Sequence, residues 1–126
     1  MMIDTNIIIY AVHPDRAGLR DWLCQQMPCC SVITRVETLG YHRLTDEDRQ
    51  SLEAIFEFMP ILYPSRVTFE LAITLRQKRK IALGDALVAA TALEHRQTLA
   101  TANIVDFQWI TGLSLVNPTS GADKMK

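Results

Sequence analysis

The hydrophobic positions of this chain fall into short blocks whose period switches repeatedly between strand-like and helix-like. Met2 and Ile3 form the first block, a short buried strand that the chain enters with almost no lead-in. Asp4-Thr5-Asn6 supplies turn residues, and Ile7 to Val12 continues apolar as a short helix stopped near His13-Pro14. Leu19, Trp22 and Leu23 give Arg16 to Gln26 a helical spacing, ended by Pro28. Cys29 to Ile33 is a compact β-compatible run. Thr34 then opens a helix expected to turn Val36, Leu39 and Gly40 inward. Thr45-Asp46-Glu47-Asp48 is a strong helix start ahead of Leu52, Ile55, Phe56 and Met59.

Ile61 and Leu62, bounded by Pro60 and Pro64, are too short a block for a helix and read as a strand. Val67 to Lys80 returns to a helical period with Leu71, Ala72 and Leu75 inward. Gly84 is expected to break the chain before the alanine-rich helix that starts at Asp85, whose small side chains allow close approach to a sheet. Thr98 to Thr101 reads as a strand, Asn103 to Phe107 as a turn or short helix, and Leu113 to Val116 as the last strand. Strands alternating with helices predict an α/β fold with parallel crossovers. The Pro, Ser, Gly and Lys content after Asn117 marks a frayed tail, placed at residues 119–126 beyond a domain of residues 1–118.

Composition narrows the class. A chain of 126 residues, 48% hydrophobic and 21% charged, fits one soluble domain with a real core. A net charge of −1 provides no global basic field, so any nucleic-acid contact must be local. Cys24, Cys29 and Cys30 lack metal-ligand spacing and read as reduced thiols. No apolar run reaches the roughly 18 residues of a membrane span, and no signal peptide opens the chain. A cytoplasmic protein is expected.

Candidate chemistry lies in the carboxylates at strand-to-helix junctions. Asp4 follows the first strand, Glu37 falls in the first turn after Cys29–Ile33, Asp85 starts the alanine-rich helix, and Asp106 lies just past Thr98–Thr101. Junctions of a parallel sheet share one edge, where open α/β sheets place their ligands. Like charges gathered there repel unless a cation sits between them, and oxygen-only ligands favour Mg²⁺ or Mn²⁺. Each acid also has a structural explanation. Thr34-Arg35-Val36-Glu37 fits a capping box, Asp85 suits a helix dipole, and Asn103-x-x-Asp106 fits a helix cap. Asp4 is the hardest to explain that way, because Asp is depleted beside buried strands.

Four segments taken together carry a resemblance. Met2-Ile3-Asp4-Thr5-Asn6, Ser31-Val32-Ile33-Thr34-Arg35-Val36-Glu37, Asp85-Ala86-Leu87-Val88-Ala89-Ala90-Thr91-Ala92 and Ala100-Thr101-Ala102-Asn103-Ile104-Val105-Asp106-Phe107 occur in this order. They resemble the PIN-domain family, and within it the VapC-type toxins of toxin–antitoxin pairs. The resemblance implies a three-layer fold with a parallel sheet of about five strands flanked by helices. It also implies an Mg²⁺- or Mn²⁺-dependent endoribonuclease, a neutralising antitoxin protein and a homodimer. Asp4, Glu37 and Asp85 match the family's first three acidic positions, with Asp4 and Asp85 as metal ligands. The fourth position varies between the places of Asn103 and Asp106; Asp106 is favoured as the charge. Thr5, Asn6, Thr101 and Asn103 would orient the carboxylates by hydrogen bonds.

For RNA contact the best stretch is Arg76-Gln77-Lys78-Arg79-Lys80, four cations in five residues. A solvated basic helix end is the structural alternative. Trp22 and Trp109 are expected to pack rather than to stack on bases. The competing functional reading is a PIN-like module that binds RNA or protein without cutting. A phosphotransfer domain is disfavoured, because no second Asp stands beside Asp4 and no Lys follows Thr101.

Overall fold

A computed structural model describes residues 1–119 of the chain. Five strands form one parallel sheet: β1 (Met2–Ile3), β2 (Cys29–Ser31), β3 (Ile61–Leu62), β4 (Leu99–Ala100) and β5 (Leu115–Val116). Their order is β3-β2-β1-β4-β5, so the first strand of the sequence is the central one. Met2 pairs with Cys29 on one side and Leu99 on the other, and Ile3 pairs with Cys30 and Ala100. Among the described residues seven helices flank this sheet. They are α1 (Thr5–Ala11), α2 (Ala17–Gln26), α3 (Val32–Leu39), α4 (Asp46–Glu57), α5 (Arg66–Lys78), α6 (Leu83–Glu94) and α7 (Ile104–Phe107).

Side-chain alternation along such short strands assigns one residue of each pair to each face. Met2 and Leu99 enter one apolar cluster with Ala72 and Leu75 of α5, most of α6, and Phe107. Ile3, Cys30 and Ala100 enter the other, with Ile7 and Ile8 of α1, Leu19 and Leu23 of α2, and Leu52 and Phe56 of α4. The result is the expected three-layer fold. In α6, Ala86, Ala89, Ala90 and Ala92 are fully buried, so the small side chains do bring this helix close to its neighbours.

Local expectations fail at three places, each for a physical reason. The second strand stops at Ser31 because its hydroxyl accepts from the Ile33 N–H at 3.1 Å and caps α3, turning Val32 and Ile33 into helix. The buried residues of α3 are therefore Thr34 and Thr38, with Leu39 packed against the second cluster as expected, while Val36 is 63% exposed and Gly40 lies outside as the exposed C-cap. Thr38 can be buried because its hydroxyl bonds back to the Thr34 carbonyl at 2.9 Å. Gly84 does not break the chain; it is the second residue of α6, whose start moves back to Leu83. Of the expected tail, residues 120–126 lie outside the described residues.

The three cysteines are free, with Cys24 exposed and Cys30 buried in the sheet. Burial pushes the Cys30 thiol up to about 12 and raises Cys29 as well, so both stay protonated at neutral pH. Among the described residues no helix is long and apolar enough to cross a membrane.

Candidate active site

Asp4 occupies the point where β1 turns directly into α1. Its backbone N–H completes the ladder to the Ala100 carbonyl at 2.9 Å, and its side chain caps the helix. One carboxylate oxygen, Oδ1, accepts from the Thr5 N–H at 2.8 Å; the other, Oδ2, accepts from the Thr101 hydroxyl at 2.7 Å. Only 3% of Asp4 is exposed. Burial raises its pKa, and the charges of Glu37 and Asp106 push the same way, while the two hydrogen bonds oppose them. These bonds fix both oxygens of the buried group.

Glu37 reaches this edge from the second turn of α3, because the helix begins earlier than the Thr34 capping box requires. The cap is Ser31, and no acidic residue lies in the first turn, so Glu37 caps nothing. Its Oε1 instead accepts from the Thr5 hydroxyl at 2.8 Å, and Thr5 Oγ1 stands 3.1 Å from Thr34 Oγ1. Thr5 thus links two carboxylates, through its amide to Asp4 and its hydroxyl to Glu37. The other Glu37 oxygen, Oε2, lies against α6. A β-carbon built on Gly84 would stand 2.6 Å from Oε2 and 3.2 Å from Cδ. Glycine at this helical position leaves the space that the carboxylate fills. The sequence carries a signal for it, a glycine inside an otherwise helical block, but that signal reads equally well as a break.

Asp85 arrives by a route the strand pattern does not reveal. Its helix follows another helix, α5, and the pair forms an antiparallel hairpin within the crossover from β3 to β4. Half-buried in the first turn of α6, Asp85 has a pKa pushed up to about 6, first by burial and then by the charges of Asp4, Glu37 and Asp106. Asp106 is exposed in the first turn of α7, its amide bonded to the Asn103 carbonyl at 3.0 Å. Asn103 makes no side-chain cap; its amide donates to Thr101 Oγ1 at 3.0 Å. Asn6 has no side-chain hydrogen-bond partner among the described residues.

The four acids therefore come from four elements, and the charges of Glu37 and Asp106 bear on both Asp4 and Asp85. Among the described residues no three of them close into a ready-made metal cage. The arrangement is an open acidic rim, buried at Asp4 and accessible at Glu37 and Asp106. Its donor set is oxygen only, without a nearby His or thiolate. That chemistry fits Mg²⁺ or Mn²⁺, since such an ion keeps several waters and takes few protein carboxylates.

The basic stretch lies at the same end of the molecule. Ser65 and Thr68 at the start of α5 both donate to Glu94 at the end of α6, so the end of α5 must lie beside the start of α6. Arg76, Lys78, Arg79 and Lys80 consequently flank the Asp85 end. Arg79 lies over the Trp109 ring at 5.4 Å from its centre.

The family model for the PIN domain matches residues 1–108, and the chain belongs to that family. It is similar to Ribonuclease VapC1 of Rickettsia felis, 29% identical over 131 residues that cover 95% of this chain and 97% of that protein. Among solved structures it resembles a toxin–antitoxin complex from Klebsiella pneumoniae, with TM-score 0.74, 31% identity, and coverage of 93% of this chain and 96% of that one. It also resembles VapBC-1 from nontypeable Haemophilus influenzae, with TM-score 0.78, 27% identity, and coverage of 94% and 98%.

Proposed function

We propose that this protein is a divalent-metal-dependent endoribonuclease acting as the toxin of a toxin–antitoxin pair. The observation that carries the reading is the rim itself: four carboxylates on separate elements, with the charges of Glu37 and Asp106 bearing on Asp4 and Asp85, and no nucleophile–base pair beside them. Its likeness to proteins named as a ribonuclease and as toxin–antitoxin complexes supports both halves of the proposal.

Asp4 and Asp85 would hold Mg²⁺ or Mn²⁺, with Glu37 and Asp106 completing the negative charge. The ion supplies a more acidic water and a counter-charge for the phosphate. The chain's own groups supply position. Thr101 and the Thr5 amide fix Asp4, and the Thr5 hydroxyl holds Glu37 at the rim, where it can accept a proton from attacking water. Arg76, Lys78, Arg79 and Lys80 would draw the RNA backbone toward this edge. Acting on cellular RNA, the protein would work in the cytoplasm.

An antitoxin has a suitable surface. A groove of about 300 Å³ lies between α1, α3 and α4, lined mainly by Ile9, Val12, Tyr41, Leu44 and Leu52 and ending at Glu37. An amphipathic segment laid there could present an Arg to the carboxylates. Phe69 and Ile73, both about half exposed and one turn apart on α5, offer a face for homodimer formation. Expressed without a partner, the wild type should arrest growth while Asp4→Ala does not. Equal growth of both strains contradicts the toxin role.

A further inference from the structure

Apart from the acidic rim, the molecule has a pocket of about 170 Å³ between α5, the last turn of α6 and the segment after α7. Thr74, Leu75 and Lys78 line it from α5, Leu93 from α6, and Trp109 and Thr111 from the segment after α7. Pockets that enclose whole small molecules span about 300–1,000 Å³. This one has room for part of a ligand, such as a single ring.

Three observations identify the ligand's chemistry. Among the described residues, Arg76, Lys78, Arg79 and Lys80 have no acidic partner, so their charge is available to an anion. The Trp109 ring already carries a planar cation, the Arg79 guanidinium, on its surface, and a planar base can take a similar place. Finally, Trp109 is tied to the acidic rim, because its indole N–H donates to the Asp106 carbonyl at 2.8 Å. The ring is thereby fixed to the backbone of the residue that carries the rim's Asp106 side chain.

We infer that Trp109, Lys78 and Arg79 form a nucleotide subsite, which takes one unpaired base of single-stranded RNA against the Trp109 ring and its phosphate between the two cations. The inference rests on the ribonuclease reading for its substrate class. It adds a requirement that the reading alone does not contain, namely an unstacked base at one fixed distance from the cut. Paired RNA cannot supply that base without being opened.

The test uses a mixed-sequence single-stranded RNA of about ten nucleotides, within the usual span of a single-strand site, and a set of the same strand with one abasic residue moved along it. Binding is followed by fluorescence anisotropy with Mg²⁺, in Glu37→Gln protein to suppress cleavage. One abasic position should weaken binding about tenfold, the size of one stacking contact. Trp109→Leu should weaken binding of the intact strand by the same factor and be insensitive to the abasic position. Trp109→Phe keeps a ring and should lose less, which separates stacking from any loss of folding. Lys78→Ala and Arg79→Ala should each lower the slope of log affinity against log salt by about 0.7. A flat abasic profile, or Trp109→Leu retaining the wild-type profile, overturns the subsite. If wild-type protein still cleaves RNA in Mg²⁺ while the profile is flat, only the subsite fails. If position-dependent binding appears without cleavage of any RNA, the subsite stands and the ribonuclease reading fails.

Discussion

Replacing Gly84 with Ala should make the protein more stable and less active, because the two effects act on different groups. Gly84 is the second residue of α6 with ordinary helical backbone, so alanine there gains up to about 1 kcal/mol of helix propensity. For a domain of this size that corresponds to roughly 2–5 °C in melting temperature. The three atoms nearest to the added β-carbon all belong to the free end of Glu37, with Oε2 at 2.6 Å where ordinary contact begins at 3.4 Å. The carboxylate must retreat by about 0.8 Å, the difference of those distances. Glu37 is exposed and its side chain flexible, so this movement is cheap in folding energy. It nevertheless pulls on the 2.8 Å bond from Thr5 and moves the carboxylate away from the water it is proposed to serve. Displacements near an ångström can lower turnover by about a hundredfold. Thermal melts and cleavage rates in Mg²⁺ read the two effects separately. Adding Glu37→Asp shortens the side chain by one methylene and should cost less in the Gly84→Ala background than in wild type. Wild-type cleavage by Gly84→Ala, or a melting temperature lowered by several degrees, refutes this account of Gly84.

Other outcomes follow from the same geometry. Thr101→Val removes a buried hydrogen bond to Asp4 Oδ2 and should destabilise by about 1.5–3 kcal/mol in urea titration, while shifting the acidic limb of the pH–rate profile upward. Asp85→Asn should stabilise the protein in EDTA, because its folded pKa of about 6 exceeds the ordinary 3.8. The penalty grows as pH rises between those values and is complete above the upper one, so wild-type stability should fall more steeply over that window than the variant's, in which only the raised Asp4 contributes such a fall. Allowing for the solvent that reaches this group, the gain at pH 7 is about 1 kcal/mol. Asp106→Asn should weaken metal affinity in calorimetry more than Asn103→Ala does, because only Asp106 carries charge toward Asp4 and Asp85. The reverse order would move the fourth position to Asn103.

Much of this architecture is readable in the chain because burial on both faces leaves its mark on very short strands. Met2-Ile3, Cys29-Cys30 and Leu99-Ala100 are apolar at both positions, as a central parallel strand requires. The limits are equally physical. Ser31 can continue a strand or cap a helix, and only the packing of Thr34 and Thr38 decides between them. For Glu37, a one-turn error in the helix start turns a rim carboxylate into an apparent cap. Gly84 is ambiguous from sequence because the Glu37 side chain that uses its space lies 47 positions away. The convergence of Asp85 with the strand-end acids depends on the α5–α6 hairpin, which a rule about strand-to-helix junctions does not describe. A role for Trp109 is hidden for a similar reason: a tryptophan that packs with one edge can still offer a face.

Four carboxylates acting together through a divalent ion would make RNA cleavage depend on both the metal and Glu37. The most direct measurement compares single-turnover cleavage of one structured RNA by wild type and Glu37→Gln, each in Mg²⁺, in Mn²⁺ and in EDTA, using partner-free protein. The substituted glutamine keeps the side-chain length and can still accept from Thr5, so both proteins should melt alike. Wild type should cleave with either metal and stop in EDTA. Loss of one proton acceptor should make Glu37→Gln at least about a hundredfold slower with metal. Cleavage that persists undiminished in EDTA, or that is unchanged in the Glu37→Gln protein, contradicts the account.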